Sequence, residues 1–127
     1  SKSHETVFTH NDFYYKNILY DDKKLWLIDW EFSGFNSPFL DLANVSKNNE
    51  LSEDDDNFIL EEYYGDSFDS NFKYKFHMQK CVSLLNGVLW SMIAEIFSKK
   101  VFDYVSYTNK MLKRYEKQFD YYSSLRI

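Results

Sequence analysis

The sequence predicts an α+β fold, mostly helical, in which a small sheet carries the functional loop. Three observations predict it. Short β-type runs separated by polar turns open the chain, two helix-start signals follow them, and from Asp69 onward apolar residues recur at helical spacing almost to the C-terminus. Strands first and helices afterwards is the order of an α+β domain rather than of alternating βαβ units.

Val7-Phe8-Thr9 is a β-type run that stops at the polar His10-Asn11-Asp12 loop, and Ile18-Leu19-Tyr20 is a second run on the far side of that loop. Asp21-Asp22-Lys23-Lys24 reads as a turn. Leu25-Trp26-Leu27-Ile28 is then a third strand, and the hairpin it forms brings Asn17 close to Asp29. Glu31 to Phe39 reads as a loop holding Gly34 and the only proline. Ser37 before Pro38 is an N-cap followed by proline at the first helical position, with Asp41 in the first turn. Ser52 followed by Glu53, Asp54 and Asp55 starts a second helix, with acids on the positive end of its dipole, and Gly65 ends it. Asn48 to Asn57 is the most polar stretch and reads as a loop leading into that start. Phe72, Phe76, Val82, Leu85, Leu89, Ile93 and Phe97 trace a long amphipathic helix whose weak point is Gly87. After Lys99-Lys100, the series from Val101 through Val105, Met111 and Phe119 to Tyr122 continues helical spacing.

A chain of 127 residues, read as a single domain over 1–127, is long enough to bury a core. Its net charge of −5 offers no Lys/Arg stripe for nucleic acid and suits a cationic partner better. The lone Cys81 excludes an internal disulfide, and no basic segment followed by an apolar run opens the chain, so the expected setting is cytoplasmic. No uncharged apolar run reaches the roughly 20 residues of a bilayer span, because even Cys81 to Phe97 carries Glu95. With Gly34, Gly65 and Gly87 the only glycines, there is no Gly-rich loop to wrap phosphates.

The chemistry is expected at His10-Asn11-Asp12-Phe13-Tyr14-Tyr15-Lys16-Asn17 and at Leu27-Ile28-Asp29-Trp30-Glu31. His-x-Asp-x-x-x-x-Asn is the catalytic-loop spacing of kinase-type phosphoryl transfer, in which the Asp takes the acceptor's hydroxyl proton and the Asn holds Mg²⁺. Asp12 alone would read as the pivot of an Asx-turn; the spacing around it makes it the base instead. Asn17 and Asp29 supply oxygen ligands, and Mg²⁺ takes only one or two protein groups when phosphates and water fill the rest. His10 reads as structural support for the loop. Asp41 either bonds back to that loop or simply serves its helix N-terminus.

These blocks, Phe8 to Asp12 through Asn17-Ile18-Leu19, then Leu27 to Asn36 and Asp41-Leu42-Ala43-Asn44, resemble the C-terminal lobe of the choline/ethanolamine kinase family, especially its bacterial LicA-type members. The order and spacing of all three agree. The resemblance implies a protein-kinase-like fold shared with aminoglycoside phosphotransferases, ATP as co-substrate and Mg²⁺ as cofactor. It also implies that the lobe that clamps the nucleotide lies outside this sequence, that the chain alone is inactive, and that the missing lobe or a second copy completes it.

The same resemblance extends to Leu89-Trp90-Ser91, Phe102 and Tyr107, which match the aromatic residues lining the trimethylammonium pocket of choline kinases. A quaternary ammonium has no hydrogen-bond donors, so aromatic faces are what can hold it, by about 0.5–2 kcal/mol each. Glu31 would add long-range attraction. Trp90, Phe102 and Tyr107 read equally well as helix-core aromatics when the resemblance is set aside. The chain departs from the family in having Gly87 where many members carry a second Trp, and Tyr14 and Lys16 where Gln and Gly are common. The activity implied is phosphorylation of choline or a related amino alcohol; a non-catalytic choline-binding lobe and an aminoglycoside or other small-alcohol phosphotransferase are the alternatives.

Overall fold

The structure, a computed structural model, describes residues 5–125. It is α+β and mostly helical, as the sequence predicts. Strands β1 (Val7–Thr9), β2 (Ile18–Asp21), β3 (Lys24–Leu27) and β4 (Gly34–Asn36) precede helices α1 (Pro38–Asn48), α2 (Glu53–Tyr64), α3 (Ser70–Phe97) and α4 (Tyr104–Ser124). The strands form two separate antiparallel ribbons, β1 with β4 and β2 with β3. In the second, Ile18 faces Leu27 and Asp21 faces Lys24 across the Asp22-Lys23 turn.

Strand β4 lies in the segment read as loop. It is three residues long and pairs Gly34 with Thr9 and Asn36 with Val7, so backbone bonding to β1 creates it and no side-chain pattern announces it. The helix starts follow the expected chemistry. Ser37 accepts from the Phe39 N–H with Pro38 at the first position, and Ser52 and Asp55 form a reciprocal capping box. Asp69 and Asp103 cap α3 and α4 in the same way. The last helix begins at Tyr104, later than the apolar series suggested, and Val101 sits fully exposed in the connection before it.

Helix α3 runs unbroken through Gly87. A Cβ at Gly87 would stand 2.8 Å from Met111 Cε on α4, so the glycine makes room for the Met111 side chain between the two helices. Packing there outweighs the glycine's poor helix propensity of about 1 kcal/mol. Helix α3 is also long and apolar enough, by length and composition, to cross a bilayer; its Phe76, Leu84 and Val88 are buried in the core, whereas Leu89, Ile93, Ile96 and Phe97 are exposed. Phe39, Ala43, Leu60 and Phe76 join α1, α2 and α3 in one apolar cluster, and Leu84, Val88 and Met111 join α3 to α4 in another.

Between α2, α3 and α4 lies a buried polar cluster. Lys80 Nζ donates to Asp56 Oδ2 at 2.6 Å, and Gln118 Nε2 lies 3.0 Å from His77 Nδ1. Burial, reinforced by the Lys80 and Lys73 charges, pushes the His77 imidazole down to about 4. The unfolded chain therefore takes up a proton between about pH 6.5 and 4 that the folded chain refuses. Stability is expected to fall by up to about 3 kcal/mol as pH drops through that window and to level off below it. Urea midpoints at pH 7 and 4.5 should show the loss, and His77→Gln should reduce it.

Candidate active site

Helix α1 holds the loop that follows β1 from both ends. Near its start, the Asp41 carboxylate accepts the His10 N–H at 2.7 Å through Oδ2 and the Asn11 N–H at 2.8 Å through Oδ1. At its end, Asn48 Nδ2 donates to the Phe13 carbonyl at 2.8 Å, and Asn49 Oδ1 accepts from the Tyr15 N–H at 3.1 Å. Asp41 thus bonds to the loop as well as standing in the first turn of a helix. Asn48 and Asn49 were not expected to take part, because the sequence there reads as a polar loop.

His10 is almost completely buried and joins the loop to the second ribbon. Its Nε2 donates to the Ile28 carbonyl at 2.8 Å, while its Nδ1 accepts from the Asp12 N–H at 3.1 Å. These two bonds together require the tautomer with the proton on Nε2. Trp30 covers the ring edge-on at a centroid distance of 4.7 Å. These two bonds tie the loop backbone around Asp12 to the strand end that precedes Asp29.

Asn17 closes the 3-10 turn Tyr15–Asn17 and is buried. Its Nδ2 donates to both the carbonyl and the carboxylate Oδ2 of Asp12, at 3.0 Å each. That arrangement turns the amide nitrogen toward Asp12 and leaves the amide oxygen for another partner. The Ile28 N–H donates to the Asn17 carbonyl at 2.9 Å, which extends the β2–β3 ladder and places Asp29 one residue past the partner of Asn17. Asp29 is exposed and has φ of 63°, a left-handed conformation that a non-glycine residue adopts at a cost. Among the described residues nothing bonds to its carboxylate, and no three His, Cys, Asp or Glu side chains converge on one point. Two oxygen groups, one from Asn17 and one from Asp29, match the protein share of a Mg²⁺ site.

Asp12 opens onto a cavity of about 670 Å³ whose walls include Lys47 and Glu50 at the end of α1 and Tyr107, Lys110 and Arg114 on α4. Tyr107 is also part of an aromatic group. Trp90 meets it edge-on at 6.1 Å and Phe102 at 5.8 Å, and Tyr104 adds a fourth ring 4.9 Å from Phe102 and 6.3 Å from Trp90. Trp90 and Phe102 remain about half exposed, whereas Tyr104 is buried with its hydroxyl on Ser98 Oγ at 2.9 Å. The three expected aromatics therefore come together, joined by Tyr104, which sequence reading missed although it lies between Phe102 and Tyr107. The space a Trp at position 87 would occupy is taken by Met111. Glu31 is exposed in the turn after β3 and does not line the Asp12 cavity. Lys16 lies over the Tyr14 and Tyr15 rings, 5.9 Å from each centroid.

The family model described as choline/ethanolamine kinase matches residues 1–56. The family this chain resembles is the choline/ethanolamine kinases. The matched segment holds His10, Asp12, Asn17, Asp29 and Asp41; the four aromatic residues lie beyond it. Protein LicA of Haemophilus influenzae is 29% identical over 106 residues, which cover 81% of this chain and 40% of that protein. A crystal structure of a choline/ethanolamine kinase family protein from Mesorhizobium loti superposes with a TM-score of 0.83 at 23% identity, over 91% of this chain and 39% of that one. LicA in complex with AMP gives a TM-score of 0.69 at 24% identity, over 90% and 40%. These two likenesses show the fold, the chain corresponding to part of a choline/ethanolamine kinase-like structure. The chain spans 40% of the length of the Haemophilus relative.

Proposed function

We propose that this chain supplies the catalytic loop and the acceptor pocket of an ATP-dependent kinase acting on the hydroxyl of choline or a related amino alcohol. One observation carries the reading. Asp12 and Tyr107 line the same cavity, and Trp90 and Phe102, outside its lining, pack against Tyr107, so the carboxylate faces the edge of an aromatic group. A small hydroxyl compound with an ammonium head has the two features that this space addresses.

Asn17 occupies Asp12 Oδ2, which leaves Oδ1 to accept a hydrogen bond from the acceptor hydroxyl. As the acceptor oxygen bonds to the γ-phosphorus, its proton passes to Asp12 and the bridging P–O bond breaks with its electron pair leaving on ADP. Asp41, Asn48 and Asn49 keep the loop from shifting during that transfer. Asn17 and Asp29 would hold Mg²⁺, which when bound offsets negative charge on the phosphate oxygens. A nucleotide clamp, for which these residues have no Gly-rich loop, is assigned to protein outside them.

Calorimetry on the chain with choline tests the pocket. Trp90→Ala is expected to cost about 0.5–2 kcal/mol of choline binding, the worth of one aromatic face. An unchanged dissociation constant would remove the aromatic group from the acceptor site.

A further inference from the structure

The cavity in front of Asp12 is unusually cationic for a site that takes an ammonium compound. Lys47, Lys110 and Arg114 line it against only Asp12 and Glu50. Two of the three cations are already engaged. Lys110 pairs with Glu50 at 3.0 Å, and Arg114 lies 3.8 Å from the same carboxylate while its Nη2 donates to the Lys47 carbonyl at 2.7 Å. Lys47 is different. Among the described residues no carboxylate lies within 4.0 Å of its ammonium, whose one hydrogen bond is a long 3.5 Å contact to the Ser83 carbonyl.

A half-buried ammonium left without a partner is costly, and the cost is relieved when a ligand brings the missing negative charge. Burial and the neighbouring Arg114 hold the Lys47 ammonium below its ordinary range, while Asp12 acts in the opposite sense. The reaction creates a suitable anion at this place. When the acceptor oxygen gains the phosphoryl group, loses its proton to Asp12 and ADP departs with the electron pair, a phosphomonoester stands beside Asp12. We propose that Lys47, steadied by Arg114, is the residue that takes this phosphoryl group, so that the product is held at both ends, the ammonium against Tyr107 and the rings packed on it and the phosphate against Lys47. The assignment rests on reading the cavity as the acceptor site, and it concerns a residue that no motif of the chain marks.

The test is calorimetry on the full chain with three probes: choline, phosphocholine and inorganic phosphate. Lys47→Met keeps the stem and removes the charge; Lys47→Arg keeps a charge. Phosphate and phosphocholine are expected to bind the unaltered chain, the phosphate to weaken by about tenfold or more in Lys47→Met, and both to be retained in Lys47→Arg, with choline affinity not reduced in either variant. Circular dichroism shows that each variant is folded. Phosphate affinity unaltered by Lys47→Met, or no phosphate binding to the unaltered chain, overturns the assignment. Lys47-dependent phosphate binding without any choline binding would instead overturn the choline reading and leave the phosphoryl contact standing.

Discussion

Asp12→Asn is expected to lower the turnover of the native protein by about 10²–10⁴-fold, the usual contribution of a positioned general base, while leaving its affinity for choline largely intact. The substituted amide can still accept a hydrogen bond from Asn17 Nδ2 through its oxygen, so the loop keeps its shape and only the proton acceptor is lost. Steady-state kinetics with choline and ATP–Mg²⁺ read turnover, and calorimetry reads binding. Near-normal turnover would remove Asp12 from the chemistry. A parallel, equally large loss of choline affinity would mean that its carboxylate serves mainly to hold the acceptor rather than to deprotonate it.

The largest expected effect on stability lies away from the site. Asp56→Ala should destabilise the fold by about 3–5 kcal/mol, because it leaves the Lys80 ammonium buried opposite an empty space. The two groups are 2.6 Å apart, with the Asp56 side chain 1% and the Lys80 side chain 10% exposed. Burial pushes the Asp56 carboxyl above its ordinary range even though Lys80 pulls it back, so the pair is held at some cost. For that reason the double replacement Asp56→Leu with Lys80→Met should recover most of the loss. Chemical denaturation of the two variants decides it, and a single-site effect below about 1 kcal/mol would show that Lys80 finds another partner or reaches water.

Features written locally were the ones legible in the sequence. The caps at Ser37 and Ser52, the hairpin around Asp22-Lys23 and the spacing of His10, Asp12 and Asn17 all lie within a few residues of what they specify. Strand β4 was not legible because its partner, β1, is distant in the chain and its own three residues show no alternation. The continuity of α3 at Gly87 depends on Met111 in another helix. The same distance concealed Lys47, Asn48, Asn49 and Arg114. They reach the cavity or the loop from the end of α1 and from α4, and a run of polar residues there has the same appearance in the sequence whether it faces solvent or a reaction. Of the four rings of the aromatic group, Trp90, Phe102 and Tyr107 were found through family resemblance, since on spacing alone they read as ordinary core residues.

Asn17 and Asp29 stand at the open end of one two-stranded ribbon, just before β2 and just after β3, whose side chains lie mostly in the open; it is joined to the rest of the site by the bond from His10 to Ile28 and the bonds from Asn17 to Asp12. Tilting that ribbon would carry both oxygen groups together, because the ladder sets the interval between their backbones. If Asn17 and Asp29 hold a cation as proposed, the ladder has already fixed the spacing of their backbones, so the ordering left to the moment of binding is that of the side chains. The left-handed turn at Asp29 was set earlier, during folding.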